Sequence, residues 1–287
     1  MPNAFETAFN ARRDAFLQRA EAAGLPAEVQ RYYWYHAIDL GDGFVTPGIF
    51  DYRSEWAEFA LPESFDGASV LDAGPATGFF SFECARRGAR VSCIELPSLR
   101  VLDRFPGQTV EQSLLKIERM MFAGDSTGTH SEEELHRLLL EGPYRFCEQR
   151  LGVEVERRYL NVYDVSPESL ERGTGWADGY DWVLAGDLFV HTLYPLKALA
   201  ALASVCRGTL AIVERIPGTL EDVPAMLYTG GAVPEQDDVN WWLPNRSCLE
   251  QLLRKLGFRE VHEAGRHTAI VQSSGFAVER TVLHATR

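Results

Sequence analysis

Two carboxylates at strand ends, with a glycine turn between them, are the residues of this sequence best spaced to do chemistry. Asp72 closes the apolar run Ser69-Val70-Leu71, and the chain then crosses Gly74-Pro75-Ala76-Thr77-Gly78 into Phe79, Phe80, Phe82 and Cys84, which fall on a helix face. A strand, tight turn and helix of this kind bring backbone close to a ligand. They also leave helix-start N–H groups unpaired, a cradle for a carboxylate or phosphate. The next strand, Ala89 to Ile94, ends in Glu95, about 20 residues beyond Asp72, where a second acid accepts hydrogen bonds from ribose hydroxyls. These residues predict a ligand that contains a nucleoside. It is not a dinucleotide of the Gly-x-Gly-x-x-Gly type, because the third and sixth motif positions are Ala76 and Phe79.

A second group with chemical capacity precedes the first strand. Arg31-Tyr32-Tyr33-Trp34-Tyr35-His36 runs into Asp39-Leu40-Gly41-Asp42-Gly43 and Thr46-Pro47-Gly48. Such a segment reads either as core and plain turn or as a cover over the open strand ends, where a ligand sits in a doubly wound sheet. His36 and Asp39 are its candidate base or orienting groups. His191, just after Tyr180–Val190, is a third candidate.

These residues have to be held by an alternation of strand and helix. Apolar positions at Phe5, Phe9, Phe16 and Ala20 predict an N-terminal helix over 4–24, and a second helical piece starts at Ala27. Residues 51–66 read as a helix and loop with Tyr52 and Trp56 on one face. Strands follow at Val155–Tyr159, at Tyr180 onward, at Gly208–Glu214, near Val261–Ala264 and at Phe276–Ala285, with helices at Leu196–Val205 and Arg246–Leu256. The segment after Glu95 is longer than a normal connection. Its helical patterns at Val110–Met121 and Glu132–Leu140 flank a Gly124–Thr129 turn. This insert reads as a lid or substrate wall, or equally as a packing or dimerisation element. The long 216–245 loop carries Asp237, Asp238, Trp241, Trp242 and Asn245; the last three are candidate substrate contacts or a roof over the core.

The expected architecture is α/β: a Rossmann-like mixed sheet of about seven strands with helices on both faces, an N-terminal helical and aromatic cap over 1–66, and a helical insert near 105–143 within 67–287. At 287 residues, 46% hydrophobic and 24% charged, the chain can bury such a core. Its five cysteines are odd in number, lack a Cys-x-x-Cys pair and read as buried thiols. The polar start and the lack of any run of roughly 18 apolar residues point to a cytoplasmic protein without a membrane span. A net charge of −13 disfavours a nucleic-acid partner. No metal site is expected.

The Asp72-x-Gly74-x-x-x-Gly78 form resembles the first motif of class I S-adenosylmethionine (SAM) methyltransferases. With Trp34–Gly43, Thr46–Gly48, Thr77–Glu83, Gly186-Asp187 and His191, the chain resembles a group related to tRNA uridine carboxymethyltransferases that also includes natural-product methyltransferases. The resemblance implies SAM as cofactor. It would be held by Tyr52, Asp72, Gly74, Pro75, Ala76, Gly78, Glu95 and Leu96, with Gly186 and Asp187 on the methionyl side. Val162, Tyr163 and Asp164 would form the adenine edge. Tyr35, Trp241, Trp242 and Asn245 would meet the acceptor. Ala57 and Val190 stand where the tRNA branch has a lysine and a tyrosine, so the resemblance implies methylation of a small molecule, with natural-product biosynthesis as its setting. A tRNA-modifying enzyme and an inactive SAM-fold assembly protein are the alternatives. A homodimer through the insert is the expected self-association.

Overall fold

A computed structural model describes residues 3–122, 130–174, 179–218, 220, 222–233 and 239–287, with backbone only at 171–174. The turn expected at 124–129, and Asp237 and Asp238, lie outside these residues. Five parallel strands form the centre: β1 (Ser69–Ala73), β2 (Arg90–Glu95), β3 (Val155–Tyr159), β4 (Tyr180–Gly186) and β5 (Cys206–Glu214). Two long antiparallel strands, β8 (Glu260–Ile270) and β9 (Ala277–Thr286), complete a seven-stranded sheet in the order β3-β2-β1-β4-β5-β9-β8. The strand order reverses between β1 and β4, so their carboxyl ends diverge and leave a crevice. All five residues of β1 are buried, as a parallel strand covered on both faces requires.

Helices α2 (Phe79–Arg86), α7 (Pro195–Ser204) and α8 (Arg246–Lys255) connect the strands, and α6 (Pro167–Thr174) precedes β4. A short ribbon of β6 (Met226–Tyr228) with β7 (Trp242–Pro244) sits in the long loop after β5, where no strand was expected. β8 runs well past the expected Ala264 because Gly265 does not end it. The register against β9 shifts between Glu263 and Gly265, a bulge that bends the strand and lets it continue.

The N-terminal helix α1 (Ala4–Ala22) is capped by Asn3, whose side chain accepts from the Glu6 N–H at 2.8 Å. It buries Phe16, whose ring stacks on Phe44 at 4.9 Å and meets Trp34 edge-on at 5.3 Å. Beyond it the chain is not helical as expected: 27–31 and 56–59 are single 3₁₀ turns. Tyr52 therefore does not share a helix face with Trp56. One hydrophobic cluster runs from Phe16 and Trp34 through Tyr52 to Val70 and Phe82, so this segment is packed into the sheet's own core.

The insert consists of α3 (Val110–Met121), α4 (Glu132–His136) and α5 (Gly142–Leu151), with a π turn at 137–141 between the last two. A capping box at Thr109 and Gln112 starts α3 where the hydrophobic pattern placed it. A small separate core of Leu99, Ile117, Leu135 and Leu139 fixes the insert over the crevice. Among the described residues no helix is long and apolar enough to cross a membrane. All five cysteines are buried and unpaired.

Candidate functional site

The crevice above β1 and β4 opens into a cavity of about 340 Å³, within the size range of small-molecule sites. One half of its wall is the strand-end machinery. Gly74, Pro75 and Ala76 form the floor, with Glu95 and Leu96 on one flank, Val162 and Tyr163 beyond them, and Gly186 and Asp187 opposite. Asp72 also lines it. Its carboxylate accepts a 2.6 Å hydrogen bond from Ser81 Oγ, and burial raises its pKa to about 6 despite that bond. Glu95 accepts from the Leu96 N–H at 2.9 Å; burial pushes it up and the Arg157 guanidinium pulls it back.

The other half is apolar and aromatic. Tyr33, Tyr35, His36 and Tyr52 come from the N-terminal segment, Phe59 and Phe80 from behind it, and Ile117, Met120, Met121 and Leu139 from the insert. The segment is pinned to the glycine turn by side-chain bonds. The His36 N–H donates to Thr77 Oγ1 at 2.8 Å, and Thr46 Oγ1 accepts from the Ile38 N–H at 2.7 Å while donating to the His36 carbonyl at 3.0 Å. His36 is buried among Tyr35, Tyr52, Phe79 and Phe80 rings, and its Nδ1 has no hydrogen-bond partner. Burial, reinforced by the Arg280 charge, lowers its pKa to about 3, so the ring is neutral at any physiological pH.

Several residues expected at the site stand elsewhere. Gly78 does not line the cavity; it has φ +95° at the start of α2, and a Cβ there would lie 2.4 Å from the Phe82 ring. Packing and backbone conformation each require glycine at this position. Asp39 is exposed and turns back on its own loop, accepting from the Gly41 N–H at 2.9 Å. Asp164 is exposed and off the wall. Trp241 is buried without reaching the cavity, and Trp242 Nε1 donates to the Leu193 carbonyl at 3.2 Å. Asn245 caps α8, accepting from the Cys248 N–H at 2.9 Å, and its amide donates to the Leu220 and Val223 carbonyls at 2.7 Å. None of these three, expected to meet the acceptor, lines the cavity, and each has a packing or hydrogen-bonding role where it stands. His191 is at the rim, exposed, with Nδ1 against the Val239 carbonyl.

Sequence reasoning missed three polar residues on or behind the wall. Arg280, near the start of β9, is buried and lines the cavity, its Nε donating to Asp187 at 2.6 Å. Asp103 accepts from the Tyr163 hydroxyl and from the Leu193 N–H at 2.6 Å, joining the base of the insert to the adjacent wall. Glu214, fully buried at the end of β5, accepts from the Phe189 N–H at 2.6 Å; burial, with the Asp187 charge, raises its pKa to about 8, so it holds a proton at neutral pH. A polar residue closing an apolar strand was a usable signal for Glu214. Nothing local marked Arg280 or Asp103. Among the described residues no cluster of three or more His, Cys, Asp or Glu side chains is arranged to hold a metal ion.

The strand order and the crevice at its switch point define a class of fold: a Rossmann-like mixed α/β sheet, shared with a solved S-adenosylhomocysteine-bound structure. The crystal structure of the N-terminal domain of EvdMO1 with S-adenosylhomocysteine (SAH) bound shares it with a TM-score of 0.55 at 16% identity, over 90% of this chain and 93% of that one. Weaker likenesses are an O-methyltransferase family protein from Burkholderia thailandensis (TM-score 0.45, 16% identity, 82% of this chain and 53% of that one) and the SAH-bound magnesium protoporphyrin IX methyltransferase ChlM from Synechocystis PCC 6803 (0.40, 14%, 78% and 75%). No family model and no curated protein matches the sequence.

Proposed function

We propose that this protein transfers a methyl group from SAM to a small, predominantly apolar acceptor. The observation that carries the reading is the division of one cavity into a polar half, built by Gly74–Ala76, Glu95 and Asp187, and an aromatic half roofed by the insert. The polar half suits a nucleoside and an amino acid. Glu95 accepts from the ribose hydroxyls, Tyr163 and Val162 flank the adenine, and Asp72 and Asp187 face the methionyl end. The aromatic half suits an acceptor that is flat or greasy and excludes water once filled.

Transfer is an in-line displacement. When bound, SAM would supply an electrophilic methyl carbon: the acceptor atom would bond to it as the carbon–sulfur electron pair goes to sulfur, and the acceptor's proton would pass to solvent. Holding the two partners in line supplies up to roughly 7–11 kcal/mol of the barrier. His36 contributes as a neutral imidazole. No carboxylate contacts its Nδ1 and Arg280 disfavours the imidazolium, so it orients a donor group on the acceptor instead of storing its proton. The chain's affinity for SAH is measured by calorimetry, and its acceptor by incubation with SAM and a metabolite extract followed by mass spectrometry. The expected outcome is micromolar SAH binding and a product heavier by one methylene. Absence of SAH binding overturns the proposal.

A further inference from the structure

Arg157 sits within β3 with its side chain wholly removed from solvent, outside the cavity wall. Its guanidinium lies 4.0 Å from the centroid of the Tyr144 ring, 3.9 Å from a Glu95 carboxylate oxygen and 3.5 Å from Glu141. Nη2 donates to the Leu140 carbonyl at 3.4 Å, whereas Nε and Nη1 have no hydrogen-bond partner. An under-bonded guanidinium in a dry interior is costly, and replacing such a group by an apolar side chain is often neutral or stabilising to a fold. Its position offers a reason for it. It touches at once the acid assigned to the ribose and the π turn whose Leu139 and Leu140 wall the acceptor half.

We propose that Arg157 is a positioning residue that keeps the Glu95 carboxylate charged and aimed at the ribose while tying it to the 137–141 turn. The inference rests on the SAM reading above. The groups that face Glu95 come from several elements. Asp72 on β1 repels it, His136 on α4 stands beside it with Nε2 on the Leu96 carbonyl at 2.9 Å, and Arg157 on β3 is the largest counterweight to its burial. Glu141 and Tyr144, from the other side, and Cys93 on β2 face Arg157 itself. A buried carboxyl that loses its cationic neighbour gives up its charge at a higher pH. Binding that needs the carboxylate as hydrogen-bond acceptor then fails further from the acid end.

The test is calorimetric titration of the full chain with SAH between about pH 5 and 8, comparing wild type, R157M and R157K. In R157M the affinity near neutrality is expected to fall about tenfold, and the acid limb of the binding curve to move up by about one pH unit. R157K keeps the charge and is expected to return the limb close to its wild-type position. If R157M does not fold by circular dichroism, R157Q carries the same expectation. A limb in the uncharged variant that coincides with wild type overturns the proposal, because a merely structural residue lowers affinity equally at every pH. Failure of wild type to bind SAH overturns the SAM reading instead.

Discussion

Gly78 and Gly186 ask opposite things of an added methyl group. At Gly78 the backbone is left-handed and a Cβ would press into Phe82 at 2.4 Å and Tyr144 at 2.9 Å, so Gly78→Ala combines strain with overpacking. At Gly186 a Cβ meets nothing within 4 Å, in a cavity wall whose space the ligand is assigned to fill. Gly78→Ala is expected to lose about 2–4 kcal/mol of stability in a urea titration. Gly186→Ala is expected to unfold like wild type yet bind SAH about tenfold more weakly, one well-placed clash being worth about 1.4 kcal/mol. An unaltered SAH affinity in Gly186→Ala would remove that glycine from the cofactor wall. At this scale the sequence made Asp72, Glu95 and the 74–76 turn legible, because strand ends and glycine spacing are local signals. It could not separate Gly78 from them, since a left-handed backbone and the Phe82 and Tyr144 rings crowding that position are not marked by glycine spacing. Nor could it show Arg280, whose partner Asp187 is distant along the chain and adjacent only through β5 and β9 pairing.

Helix α8 shows how an element can claim a residue that looks like a ligand contact. Asn245 is 1% exposed, and besides capping the helix it bonds the Leu220 and Val223 carbonyls and accepts from the Ala225 N–H at 3.1 Å, closing the loop that precedes β6. Asn245→Ala deletes the cap and orphans those buried groups together, which predicts a loss of about 2–3 kcal/mol with SAH affinity unchanged. A variant that kept its stability and lost ligand binding would restore the residue to the site. Elements with a strong period were legible from sequence, α3 to its first and last residues and β3 likewise. Those that failed did so for identifiable reasons. Tyr52 and Trp56, within 51–66, were read as sharing a helix face, but Tyr52 is held by ring contacts instead, on Phe59 at 5.3 Å and on His267 at 4.9 Å. Tertiary packing overrides a short propensity signal. The insert's outline was readable and its purpose was not, because the apolar face of α3 looks the same whether it meets a partner subunit or, as here with Ile117 and Met121, a cavity.

The cavity belongs to the whole molecule. Its walls come from the N-terminal segment, the ends of β1, β2 and β4, the insert, and Arg280 on the final strand. The cluster that joins Phe16 to Val70 and Val282 leaves no plane along which the cap could part from the sheet without exposing core. A ligand bound there is linked to the folding of all of these parts together. At a free SAH concentration about a hundredfold above its dissociation constant, linkage adds about 2.7 kcal/mol. For a chain of 287 residues that amounts to a rise in Tm of about 4–5 °C. The expected calorimetric scan is one transition that moves as a unit on adding SAH and moves less in Glu95→Gln at the same SAH concentration. Two transitions, one displaced by SAH and one indifferent to it, would mean that part of the chain folds apart from the site. The shared core between Trp34 and Phe82 would then not carry the cooperativity assigned to it here.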